Sequence, residues 1–282
     1  MGNARKRKED FFREHPICVF CGGVVPATTV EHCPPRAMFQ KKQWPEGFEF
    51  PACYNCNHGS SNADLLVAML ARVNPFEETG DSDGRFKGLV QGINKQFPGL
   101  IQKMLPSAVE ARRSNRRLKL TPESGKTHQE TGAVKITSEI DDAVSTFARK
   151  LAKGIYYKNA KQAFPKAGSL LMNWFTNEQL FQDGKYVSFE VLKHIEGDIP
   201  ALMRSGQYLN NQFEYKLSIS NEFDIFILQA MFGQGFGLIV YGSTVPGKIE
   251  PFIVELRKKE QRTSPFTVLE STTLPIGRMS KI

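Results

Sequence analysis

Long apolar runs are missing from this chain of 282 residues. Its amino terminus is charged and continues Glu9-Asp10-Phe11-Phe12-Arg13-Glu14, so no apolar h-region of an export signal follows. The longest uncharged run, Ile225 to Gly247, is interrupted by Gln229, Gln234 and several glycines. It suits two buried strands turning at Gly233-Gln234-Gly235 better than a membrane helix. The expectation is a soluble, cytoplasmic protein with no membrane partner. Internal repeats are lacking too, which argues against solenoid and fibrous architectures. Negative charge is the scarcer sign: 29 Asp and Glu against 37 Lys and Arg leave a formal charge of +8. Cysteine is confined to the first fifth of the chain, where all five residues lie.

What is present is enough to fold. Hydrophobic residues make up 40% and aromatic residues 11%, which excludes a wholly disordered chain. The length suits about two domains. The composition shifts divide it into residues 1–75, rich in cysteine and proline, a basic helical stretch at 76–135, and a region at 136–282. A polar, turn-rich link, Asn74 to Gly84, follows the first part. Phe86, Leu89, Val90, Ile93 and Phe97 recur at helical spacing, and Pro98 ends that helix. A basic helix near 107–118 and a loop over 121–135 follow. From Asp141 a long helix is expected, its stripe of Val144, Phe147, Ala148, Leu151, Ile155 and Tyr156 facing a core. Segments 169–182 and 188–204 read as further helices or short mixed elements. Residues 213–220, 223–232 and 237–241 read as an antiparallel meander, with edge strands at Ile253-Val254 and 266–269. The fold class is α+β.

Chemistry concentrates in two C-x-x-C pairs, Cys18-Val19-Phe20-Cys21 and Cys53-Tyr54-Asn55-Cys56, with 31 residues between them. Two residues between cysteines let both thiolates reach one ion from a tight knuckle, and two knuckles complete a tetrahedral four-cysteine zinc site. Gly22-Gly23 suits the turn of the first knuckle. A disulfide or redox pair is the rival reading, weakened by the repetition of the pair and by a reducing compartment.

Between the pairs sits Glu31-His32-Cys33-Pro34-Pro35-Arg36-Ala37-Met38-Phe39, and the second pair continues into Asn57-His58-Gly59. This arrangement resembles the HNH, or ββα-metal, endonucleases that carry zinc knuckles. The resemblance covers about residues 15–75. It implies an N-terminal zinc-bound ββα-metal domain in which His32, on a β-hairpin strand, is the general base. Glu31 and Asn57 then hold a catalytic divalent ion. Carboxylate and amide oxygens suit Mg2+ or Mn2+, and Asp64, two helical turns beyond Asn57, is a candidate further ligand. The implied activity is metal-dependent hydrolysis of DNA, or RNA, phosphodiester bonds.

The middle Asn of the family pattern has no counterpart in Gly47-Phe48-Glu49-Phe50. That departure favours the alternative, a zinc-stabilised nucleic-acid-binding module without catalysis. A third reading is an interaction protein whose knuckles dock a partner protein. The basic clusters, Arg5 to Lys8, Arg112-Arg113 with Arg116-Arg117, and Arg257 to Arg262, fit a phosphate partner or simply solvated surfaces. Arg36 is a candidate phosphate contact. Cys33 reads as a small apolar side chain of the hairpin, while His15, His128 and His194 read as structural or exposed. Trp44 and Trp174 read as packing residues. One active site cutting both strands favours a homodimer, and residues 136–282 are left to target selection or self-association.

Overall fold

A computed structural model describes residues 2–72, 84–117, 119–131, 134–176, 181–182, 185–186, 197–233, 235–249, 251 and 267–269. Helix α1 (Gly2–Glu14) leads to a two-stranded hairpin of β1 (Thr29–His32) and β2 (Glu49–Ala52). Two helices follow directly, α2 (Tyr54–His58) and α3 (Ser61–Arg72). The middle of the chain is helical: α4 (Phe86–Gln96), α5 (Leu100–Met104) and α6 (Ala108–Arg117). As expected, the first of these ends just before Pro98, which has no backbone N–H to continue it. The turn-rich link falls mostly outside the described residues, as do His194, Ile253-Val254 and Arg257 to Arg262.

The long helix α7 (Ser138–Ala160, 23 residues) is the axis of the fold. All six residues of its expected stripe are buried. One face of α7 meets α3 and the other meets a sheet. That sheet contains β3 (Ser169–Thr176) and, beyond the short hairpins β4–β5 (Phe181–Gln182, Lys185–Tyr186) and β6–β7 (Met203–Arg204, Gln207–Tyr208), the strands β8 (Glu214–Ile219), β9 (Ile225–Phe232) and β10 (Phe236–Ser243). With β11 (Thr267–Leu269) its order is β11-β3-β10-β9-β8, and every pairing is antiparallel.

The meander expected from the sequence is therefore β8–β9–β10, but residues 169–176 correct the reading of 169–182 as helix or mixed structure. They form a long strand inside the sheet. Leu170 and Met172 pack into the main core, whereas Leu171 packs with Ile249 on the other face. Burial on both faces removes the apolar–polar alternation that marks a strand, leaving a continuous run with no diagnostic period. Of 188–204, the described part includes β6 rather than a helix.

The turn between β9 and β10 falls where the sequence placed it. Gly235 is required there, because a Cβ would lie 2.5 Å from the Leu70 carbonyl oxygen at the end of α3. The sheet turn thus rests on α3, and one continuous cluster of buried side chains runs from Cys18 to Val240. Among the described residues no helix is long and apolar enough to cross a membrane.

Helix α7 and the hairpin meet at Gly154, where an added Cβ would lie 3.1 Å from the Phe50 ring. Alanine gains up to about 1 kcal/mol of helix propensity over glycine. Overpacking costs about 1–3 kcal/mol. Phe50 is hemmed in edge-on by Phe20 and Phe48, so it has little room to retreat. We therefore expect Gly154→Ala to lower the unfolding free energy by a net of about 1 kcal/mol, seen as a lower denaturant midpoint with no change in slope.

Candidate metal centre and the hairpin site

The two knuckles are assembled by backbone bonds to the hairpin. The first knuckle doubles back through Gly22 (φ 83°) and Gly23 (φ 74°), both in the left-handed region. The Cys18 amide donates to the Val25 carbonyl at 2.8 Å, and the Val19 amide to the Pro51 carbonyl at 3.1 Å. Cys53 is the residue before α2, and Cys56 lies one turn into it. As a result the Cys18, Cys21, Cys53 and Cys56 sulfurs all lie within 4.8 Å of one another.

Four cysteines are thus positioned to hold one metal ion, and an all-thiolate tetrahedral set is compatible with structural zinc. The electrostatics of the cluster suit a cation. A bond from the Cys56 sulfur holds Cys18 down to about 5, although burial opposes it. The same bond, with burial, drives Cys56 far above the usual thiol range. Burial followed by the Cys18 charge raises Cys21. The four sulfurs cannot all ionise without a positive charge among them. Lys153 of α7 brings one alongside. It is fully buried and its ammonium donates to the Phe20 carbonyl at 2.7 Å.

Residues Glu31 and His32 are adjacent on β1 and therefore point to opposite faces. Glu31 points inward and is 5% exposed. One carboxylate oxygen lies 3.1 Å from the Lys150 ammonium of α7. The other, Oε2, has no hydrogen-bond partner among the described residues. Asp64 converges on the same ammonium, with oxygens at 3.3 and 3.1 Å. Lys150 also donates to Ser60 Oγ at 2.5 Å. Burial raises the Glu31 carboxyl to about 7 against the pull of Lys150. The paired acids keep Lys150 charged despite its complete burial.

The structure brings Glu31 and the candidate further ligand Asp64 together, but around a lysine ammonium. A divalent ion does not fit between these acids while Lys150 stays there. The Asn57 side-chain nitrogen donates to the Val30 carbonyl at 3.2 Å and fastens α2 to β1.

On the outer face His32 is half-buried opposite Glu49. Its ring meets the Trp44 ring edge-on, with centroids 4.6 Å apart. The Trp44 indole N–H donates to Glu49 Oε1 at 2.8 Å. Over the same indole lie two guanidinium groups, Arg204 at 3.7 Å and Arg36 at 5.1 Å from the ring centroid. Burial and then Arg36 hold the His32 pKa below 6.5, with Arg204 adding to them and Glu49 opposing. The imidazole is accordingly neutral at pH 7.

Elsewhere, Arg112, Arg113, Arg116 and Arg117 are exposed on α6, whose inward residues are Ala111 and Asn115. They lie on an element separate from the hairpin. Cys33 is buried, in agreement with its apolar reading. His15 bonds the Tyr157 hydroxyl at 2.7 Å, and His128 meets the Asn115 amide at 3.0 Å. A cleft of about 620 Å3 is lined by Ala37, Leu65, Arg72, Arg85 and Leu89 and does not include His32. Sequence reasoning missed Lys150, Lys153 and Arg204. The lysines interrupt the apolar stripe of α7, but nothing local names their depth or their partners. Arg204 had no signal, because only tertiary folding brings it to the hairpin.

Two outcomes are expected. Elemental analysis of purified protein gives about one zinc per chain. Serine at Cys18 or Cys56 abolishes it and lowers the melting temperature. Lys150→Met leaves the buried Glu31 and the half-buried Asp64 without their cation and costs about 3 kcal/mol in denaturant unfolding, part of which Glu31→Gln in the same chain restores.

A scan against protein-family models finds no match, and neither the curated proteins nor the solved structures contain a significant one.

Proposed function

We propose that this protein is an endonuclease of the HNH type that hydrolyses phosphodiester bonds of nucleic acid, DNA in the first instance, with His32 as general base. The observation that carries the reading is the outer face of the hairpin. A neutral, half-exposed imidazole stands beside two guanidinium groups. Hydrolysis of a phosphodiester needs a group to take a proton from the attacking water and positive charge facing the phosphoryl oxygens. His32 meets the first need, and Arg36 with Arg204 meets the second. The knuckles hold the hairpin that carries His32, compatible with zinc in a structural role.

The family resemblance adds Mg2+ or Mn2+ at Glu31 and Asn57. Lys150 stands between Glu31 and Asp64, so that ion requires the lysine to withdraw. The same lysine favours the second reading, a zinc-stabilised nucleic-acid-binding module that does not cut. The ammonium neutralises the acid pair as a purely structural network does.

Plasmid cleavage separates the two readings. Wild type and His32→Ala are compared with Mg2+, with Mn2+ and with EDTA, and zinc content is measured in every sample. The nuclease reading expects nicking or linearisation that falls at least about 100-fold in His32→Ala. Divalent dependence supports an ion at Glu31, whereas cutting that persists in zinc-replete protein with EDTA places the charge on the arginines. Because the base is the unprotonated imidazole, the rate rises with pH through a value below 6.5 and is level above it. DNA retained without cutting under any condition overturns the nuclease in favour of the binding module.

A further inference from the structure

Arg204 lies far along the chain from the hairpin, yet it is fixed there by specific bonds. It ends β6 of the tight hairpin β6–β7, whose turn residues Ser205 (φ 48°) and Gly206 (φ 78°) are both left-handed. Two successive positive φ values give the turn type that matches strand twist in a two-residue hairpin. The hairpin is tied to the loop before β2 at two points. The Glu46 amide donates to the Met203 carbonyl at 3.0 Å, and the Ser205 amide donates to Glu46 Oε1 at 3.2 Å. At its base, the Leu202 amide donates to Asn210 Oδ1 at 2.9 Å. Arg204 is thus placed over Trp44 by a framework rather than by a lone side-chain contact.

Among the described residues the acids near these arginines are Glu49 and Glu46, and Glu46 is turned to the Ser205 amide. Two guanidinium groups share one indole, and Glu49 is the carboxylate that faces them, 3.8 Å from Arg204. Arg36 is exposed and has no carboxylate partner among the described residues. His32, the remaining titratable neighbour, is neutral. Holding two like charges together is costly, and cation–π contact with the indole offsets only part of that cost. An anion completes the arrangement. Arginine forks match phosphate oxygens in bidentate fashion, and the exposed Lys42 continues the positive track along the same segment.

We propose that Arg36 and Arg204, set over Trp44, form a two-arginine clamp for one backbone phosphate of nucleic acid beside His32. The β6–β7 hairpin is then a specificity element that the distal part of the chain contributes to the N-terminal site. This clamp deepens the nuclease reading and rests on it only for the choice of nucleic acid as partner. It is a binding site whether or not the bond is cut.

The test is fluorescence anisotropy with a labelled DNA duplex of about 20 base pairs, in buffer without added divalent ion, over a salt series. Arg204→Gln and Arg36→Gln each weaken binding about tenfold, as loss of a charge-assisted contact implies. Each also lowers the salt slope by about 1. Arg204→Lys recovers only part of the loss, because an ammonium lacks the planar fork. Lys87→Gln, an exposed cation on α4, shifts affinity less than twofold and serves as the charge control. Melting temperatures confirm folding, and Arg36→Gln alters an exposed side chain only.

Wild-type affinity and salt slope in both arginine variants overturn the clamp. So does an equal loss in Lys87→Gln, or displacement of the duplex by inorganic phosphate at matched phosphate concentration. Failure of hydrolysis is read by plasmid cleavage and failure of the clamp by anisotropy, so the two register in different assays.

Discussion

The fully buried Lys150 ammonium, held among Glu31, Asp64 and Ser60, is the interaction on which the rest depends. It joins three elements at one point: β1 through Glu31, the start of α3 through Ser60 and Asp64, and α7 through the lysine itself. Removing a charge from water costs several kcal/mol, and only close partners on several sides return that energy. The network therefore specifies one relative placement of hairpin and helix. Apolar packing around Phe20, Phe50 and Gly154 then fills the space that this placement defines.

The same alternation that buries Glu31 turns His32 outward. In a strand, adjacent side chains oppose each other, so a carboxylate committed to the interior guarantees a histidine at the surface. The outer face is a separate chemical environment, with an aromatic floor, two guanidinium groups and the Glu49 carboxylate. A cation buried inside and guanidinium groups gathered outside are two consequences of one register, Glu31 opposite Phe50 and His32 opposite Glu49.

Much of this was legible in the chain before folding. The paired cysteines, the Glu31-His32 dyad, the α7 stripe and the Gly233–Gly235 turn are local patterns, and each corresponds to a feature of the structure. Strand β3 was hidden because burial on both faces erases the period of two. Asp64 was visible as an acid on the right helix, but its partner was not. A lysine inside an apolar helix declares neither the depth at which it sits nor the acids it meets. Arg204 and Trp44 are joined across more than 150 residues of sequence, and no spacing rule reaches that far. Trp44 read as packing, yet its faces carry cations while its N–H holds Glu49.

Lys150 and Lys153 are three residues apart on α7, so they share a face of one rigid rod. The first serves the acid pair and the second stands beside the sulfur cluster. A slip of the helix by one residue would swing both about 100° away from their partners together. The metal knuckles and the interior of the hairpin therefore behave as one mechanical unit. The cysteine cluster and the acid pair are thus attached to the same helix, and both attachments hold only while α7 keeps its rotation.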